Sequence, residues 1–259
     1  MKASTVTITT PTGETRIDLV AAATKARIRT TLLGASTLHV HLPEHLLTAR
    51  LTEARTATAD GRTWTLVGIR REGDTIRLVY EDTIIAALRA EQSRIMYQVA
   101  LPAADIIGRF CTDAGVTADI DPTLGEIHVE GAGRSLLDTT DSWREISALA
   151  DRLGGRAFSD GSRLVVAPDS VLLARDAPRV TGSAGAVQGD VTFHLDAGQP
   201  YDRAAIDVDD TWTADAGSVV EVYGTGPADG RWLVSEWARD LPHIAPGRVR
   251  LTRPATIGA

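Results

Sequence analysis

The sequence predicts a mainly β fold with an α+β insertion: two related antiparallel β domains, barrel or sandwich, flanking a small α/β domain. Three observations point there. Short runs that alternate apolar and polar residues fill the chain from Thr5 to about Tyr80 and return in its last third; that period-two pattern belongs to half-buried strands. Between them the period lengthens to that of amphipathic helices. One hairpin sequence also occurs twice, once on each side of the helical stretch.

The first β region reads as "TVTITT", "RIDL", "ARIRTTLL", "TLHVHL", "TWTLVGIRR" and "TIRLVYED", punctuated by "PTGE", "ADGR" and "EGD". Strands this numerous at this spacing suggest a barrel or sandwich. A helix follows in "EDTIIAALRAEQ", with Ile84, Ile85 and Leu88 on one face and Asp82 as its cap. The middle region opens with "PAADIIGRFCTDAGV", where Ile106, Ile107, Phe110 and Cys111 share a helical face and Gly115 marks the stop. In "DSWREISALADRLGG" Ser142 and Glu145 have capping-box spacing, Ile146, Leu149, Ala150 and Leu153 form the buried stripe, and Gly154 and Gly155 end the helix. A hairpin turning at Asp160-Gly161 follows. "RDAPRVTGSAGAVQGD" reads as a linker or exposed loop, and β patterning then runs from "VTFHLD" to "RVRLTRP". The expected domains are 1–101, 102–176 and 177–259.

"ADGRTWTLVGIRR", from Ala59, lies against "ADGRWLVSEWARD", from Ala228. Each runs Ala-Asp-Gly-Arg, a tryptophan, Leu-Val, a large apolar residue and Arg, and each is followed by a turn and a second alternating strand. This predicts a duplicated β-hairpin and two related β domains. Trp64 and Trp232 then occupy equivalent positions, as do Ile69 and Trp237. Residues recurring in both copies are expected to serve packing, in a core or between subunits, rather than to form a sugar platform.

The 259 residues are 43% apolar, enough for a real core. Twenty-seven basic against 34 acidic residues give a net charge of −7, spread along the chain, which argues against a nucleic-acid binder driven by phosphate neutralisation. The single cysteine, Cys111, excludes an intrachain disulfide and sits among apolar neighbours, as a buried small hydrophobe does. Neither a secretion signal nor an apolar run long enough for a membrane anchor is present, so folding in a cytoplasm is expected.

Chemistry is hard to place. The sequence has no G-x-S-x-G, no H-E-x-x-H and no glycine-rich phosphate loop. His39, His41 and His45 form the one metal-like constellation, without a firm further ligand; His128, His194 and His243 are the remaining histidines. Asp207, Asp209 and Asp210 lack the glycine and terminal glutamate of a calcium loop. Asp138, Asp141 and Glu145 suit a helix start better than acid/base work. No catalytic, cofactor-binding or metal residue is therefore assigned, and no enzyme activity is expected.

The segments "TLHVHLPEHLLTARL", "DGRTWTLVGIRREGDTIRLVYEDTIIAALR", "PAADIIGRFCTDAGV", "SWREISALADRLGGRAF" and "GTGPADGRWLVSEWARDLPHIAPGRVRLTRP" resemble, as an ordered set over nearly the whole chain, the hub proteins at the tip of phage tails and related contractile injection systems. The resemblance implies two tube-protein-like β-barrels around an inserted domain, and a homotrimer whose six similar modules let a threefold ring stack on a sixfold tube. It implies a structural role in the virion, at the tail tip or baseplate, after assembly in the host cytoplasm. The implied partners are the tail tube protein, distal tail or baseplate proteins, a spike or fibre protein and the tape measure protein, with DNA passing through the lumen without specific binding. An acidic lumen would let DNA pass without sticking and is consistent with the net negative charge. Many members carry a lytic or peptidase domain after the hub region; with this sequence ending at Ala259, wall cleavage is expected of a separate chain. Two other readings compete: a carbohydrate-binding adhesion module using Trp212, Trp232 or Trp237, and a cell-wall hydrolase.

Overall fold

The computed structural model describes residues 5–11, 13–22, 24–44, 55–91, 100–130, 141–181, 192–194, 201–208, 212, 214–224, 229–242 and 247–254. His45, Asp138, Asp209, Asp210 and His243 lie outside these. The chain forms two compact units, one of Met1–Thr83 with Arg175–Ala259, the other of Ile84–Ala174.

The predicted amino-terminal strands form as β1 (Thr5–Thr10), β2 (Gly13–Asp18), β3 (Lys25–Thr31), β4 (Thr37–Pro43), β5 (Thr56–Ala59), β6 (Arg62–Glu72) and β7 (Thr75–Asp82). They pair antiparallel in the order β3-β4-β7-β6-β5-β1-β2. Alternation does the work expected of it. In β4 Leu38, Val40 and Leu42 are buried while Thr37, His39 and His41 face outward, because successive side chains point to opposite sides of the sheet. The inward residues close one core around Trp64, Tyr80, Leu78 and Ile8, each such burial worth about 1.5–3 kcal/mol. The Asp60-Gly61 turn between β5 and β6 places both residues at positive φ, 54° and 74°, a conformation asparagine, aspartate and glycine tolerate.

The second unit begins with most of α1 (Thr83–Ala90) and continues through β8 (Leu101–Pro102), α2 (Ala103–Asp113), β9 (Ala118–Ile120), α3 (Pro122–Gly125), β10 (His128–Val129), α4 (Ser142–Arg152), β11 (Gly155–Ser159), β12 (Leu164–Pro168) and α5 (Asp169–Ala174). The predicted face of α2, namely Ile106, Ile107, Phe110 and Cys111, is buried, and burial pushes the Cys111 thiol up to about 11. The cap of α4 differs from the expected box. Asp141 is the N-cap, its carboxylate accepting from Arg144 N at 2.8 Å, and Ser142 instead turns its hydroxyl to the Glu91 carbonyl. An ionised carboxylate both accepts the free N–H and complements the helix dipole, so aspartate takes the position from the serine one residue later. Gly154, at φ 75°, ends the helix; Gly155 starts β11, where a side chain would collide with Leu124. The β11–β12 hairpin forms as predicted, and β9 adds to it in parallel.

The carboxy-terminal strands are β13 (Arg179–Thr181), β14 (Thr192–His194), β15 (Tyr201–Val208), β16 (Val219–Tyr223), β17 (Gly230–Leu241) and β18 (Gly247–Pro254). β13 falls within the expected linker: it pairs in parallel with β16, burying Val180, the departure from an antiparallel module. The remaining order is β14-β15-β18-β17-β16, around a core of Trp212, Trp232, Trp237, Val249 and Leu251. The two modules do not stand apart. β17 pairs with β3, so both belong to one 13-stranded sheet.

Candidate assembly interface

The joint between the modules is an antiparallel ladder running from Glu236 opposite Thr31 to Leu241 opposite Ala26. Leu241 enters the first module's core. Leu32 N donates to Ser235 O at 2.9 Å and Ala216 N to Thr30 Oγ1 at 3.3 Å. Charges flank the ladder: Arg29 reaches Glu236 at 2.7 Å, which holds the Arg29 guanidinium above its ordinary value, and Arg62 joins Asp82 at 3.7 Å to Asp215 at 2.9 Å. Among the described residues the most buried cation is Arg239, paired with Asp60 of the first module's turn and stacked 4.8 Å from the Trp237 ring. Burial pulls Arg239 down to about 10; the Asp60 carboxylate opposes that by favouring the charged form.

The modules repeat each other in hydrogen-bond register. Ala57 faces Trp64 across β5 and β6 as Val220 faces Trp232 across β16 and β17. Ile69 faces Leu78, and Leu78 faces Val40, as Trp237 faces Val249 and Val249 faces Ile206. A register shift interrupts β6 between Leu66 and Gly68, and β17 at the matching place between Val234 and Glu236. The Trp64/Trp232 and Ile69/Trp237 equivalences therefore hold, while the Asp-Gly turn is one residue closer to the tryptophan in the second copy. Environments differ at one of these positions: Ile69 is 41% exposed and Trp237 4%.

All five tryptophans, Trp64, Trp143, Trp212, Trp232 and Trp237, are buried. Trp64 and Trp212 donate to the carbonyls of Ala59 and Ala214, and Arg253 covers Trp232 at 4.1 Å while pairing with Asp202. No tryptophan platform is available for stacking a sugar. The other singled-out residues scatter. His39 and His41 sit side by side on the outer face of β4, and both are pushed down, by burial first and then by cations: Arg77 and Arg27 for His39, Lys25 for His41. His128 is exposed at β10, and Asp207 faces Arg248 in the β15–β18 ladder. Among the described residues, no cluster of three potential metal ligands occurs, and no helix is long and apolar enough to cross a membrane.

The sheet face opposite the cores carries Lys25, Arg27, Arg29, Arg70, Arg77, Arg248 and Arg250 against Glu72, Glu81, Asp207, Glu236 and Asp240, as the cross-strand register places them. Sequence reasoning left the joint residues unassigned.

No family model and no curated protein matches the sequence. Solved structures do match. Two paired β modules with an inserted α/β unit give this chain the fold of phage tail proteins and of a type VI secretion system component. A tail protein from Neisseria meningitidis superposes with a TM-score of 0.67 at 10% identity, covering 97% of this chain and 96% of its own. A prophage tail protein from Listeria monocytogenes gives 0.69 at 9% identity over 97% and 95%. An E. coli component of the type VI secretion system, described as similar to T4 bacteriophage tail proteins, gives 0.62 at 12% over 90% and 74%. The tail-hub fold is thus shared along almost the whole chain.

Proposed function

We propose that the protein is the structural hub of a phage tail tip or baseplate: a homotrimer whose six modules form a pseudo-sixfold ring, joining the tail tube to a central spike or fibre and lining the delivery channel. The observation that carries this reading is the register-for-register repeat of two modules in one sheet. Three such chains present six near-equivalent modules, and closed cyclic symmetry then matches a sixfold tube. The partners in this role are the tube protein on one side and spike or fibre, distal baseplate and tape measure proteins on the other. The role is non-catalytic, in the virion, and the three domains serve it as two ring-forming modules and an inserted third.

Mass measurement in solution, with negative-stain electron microscopy, tests the reading. The expected result is a three-membered ring with six lobes, formed alone or on addition of tube protein. A compact monomer that never assembles beside the tube overturns it.

A further inference from the structure

Within the chain, β17 is shared between two neighbours. Its first half, through Val234, is bonded by β16, and after the register shift its second half, Glu236–Leu241, is bonded by β3 of the other module. β6 is built the same way. Its first half is bonded by β5, with Leu66 N donating to Arg55 O as Val234 N donates to Ser218 O, and the shift follows at the same place. Past the shift the likeness stops: among the described residues, no strand lies on the free edge of Gly68–Glu72.

That edge has marks of an interface lacking its second side. Among the described residues, Val67 and Ile69 are two of the few large apolar side chains left exposed, at 49% and 41%. Ile69 is the counterpart of Trp237, which lies opposite the buried Thr30 of β3 and is itself covered. Val67 is the counterpart of Ser235, whose carbonyl takes the N–H of Leu32 across the joint. An edge strand of this length with apolar exposure invites pairing.

We infer that the Gly68–Glu72 edge of β6 takes β14 of a second copy of this chain, in the register that β17 and β3 show internally. The occupant follows from the repeat. β14 pairs with β15 as β3 pairs with β4: Thr192 faces Ala205 where Arg27 faces His39, and His194 faces Arg203 where Arg29 faces Thr37. β14 also ends its sheet, with no strand on its outer edge among the described residues. Since Asp240 faces Arg27 and Ala238 faces Arg29 in the joint, Glu72 faces Thr192 of the partner subunit and Arg70 faces His194 of the partner subunit. The contact is head to tail, β6 of one copy to β14 of the next, and such a contact closes into a ring when its rotation repeats a whole number of times. This inference rests on the trimeric-hub reading and adds which strands meet and where.

Cysteine cross-linking reads the register directly. Directly opposed residues in an antiparallel pair lie about 4.5–5.5 Å apart at Cα, inside the span of about 4.4–6.8 Å that a disulfide bridges. Glu72→Cys with Thr192→Cys in one chain, oxidised with copper phenanthroline, is expected to give a covalent trimer on a non-reducing gel. Glu72→Cys with His194→Cys, out of register, is expected to stay uncross-linked. Arg27→Cys with Asp240→Cys is the internal control, closing within the chain with no change in mass. Cys111 is buried and does not compete. A native trimer in which the control closes but the Glu72/Thr192 pair does not, or in which the out-of-register pair closes instead, overturns the strand assignment and leaves the hub reading standing. A chain that stays monomeric, alone and with tube protein, overturns both.

Discussion

His39 and His41 show how a residue's surroundings, more than its type, set its role. Their sequence pattern looked like the start of a metal site, but the strand ladder places Lys25, Arg27 and Arg77 beside them, and those charges work against a bound cation as they work against a proton. Both histidines are pushed below the ordinary 6.5, chiefly by burial. The unfolded chain therefore takes up these two protons nearer pH 6.5 and the folded chain only at lower pH. Stability from this source is complete above about pH 6.5 and is lost as pH falls through the depressed folded values. Urea midpoints measured between pH 7.5 and 5 are expected to fall less steeply for a His39→Gln, His41→Gln variant than for the parent; parallel slopes would dismiss the account. The tryptophans were legible from sequence for a related reason. A residue type recurring in both copies of a hairpin had to serve something both copies share, and Trp64 and Trp232 are each fully buried at matched ladder positions.

Among the elements, the hairpins announced themselves and their neighbours did not. Alternation and Asp-Gly turns are local signals, so β6, β7, β17 and β18 could be read from the residues that form them. The β3–β17 pair joins segments about two hundred residues apart in the chain, and no local pattern records which strand will lie on a free edge. The same limit hid Arg239, which reads as a solvated charge on an alternating strand and is in fact 3% exposed at its side chain, held by Asp60. Asp60→Asn keeps the turn conformation that asparagine tolerates and removes only the countercharge. Breaking a buried pair from one side is strongly destabilising; because Asp60 still reaches water, the expected loss is about 2–3 kcal/mol, seen as a lower unfolding midpoint. Arg29→Ala, at an exposed pair in the same joint, is expected to cost under about 1 kcal/mol. Equal losses at the two sites would mean that burial does not set the strength of the joint.

For the whole molecule, the division of cores bears on whether the paired modules need the inserted unit. Among the described residues, the core around Trp64 and the core around Trp232 are built from the first compact unit, and Leu241 links them through the β3–β17 ladder. The sequence pointed to an insertion, because the helical period interrupts two related β regions, but it could not say that the flanking regions share a sheet, since that depends on pairing across the insertion. Folding of the paired modules should then be independent of the middle of the chain. Replacing residues 84–174 with a flexible Gly/Ser linker between Thr83 and Arg175 is expected to leave a cooperatively unfolding β protein whose joint is intact. Burial within each module and the backbone ladder between them are both retained, and a flexible connection adds only the slowly growing closure entropy of its length. The Arg27→Cys, Asp240→Cys disulfide reports the joint in the shortened chain as it does in the full one. If it forms, the modules pair through their own edges and the inserted unit is free to be specialised for a partner. If the shortened chain unfolds without cooperativity, or the disulfide no longer closes, then the two modules depend on the inserted unit, and duplication of the hairpin alone is not enough to build the ring.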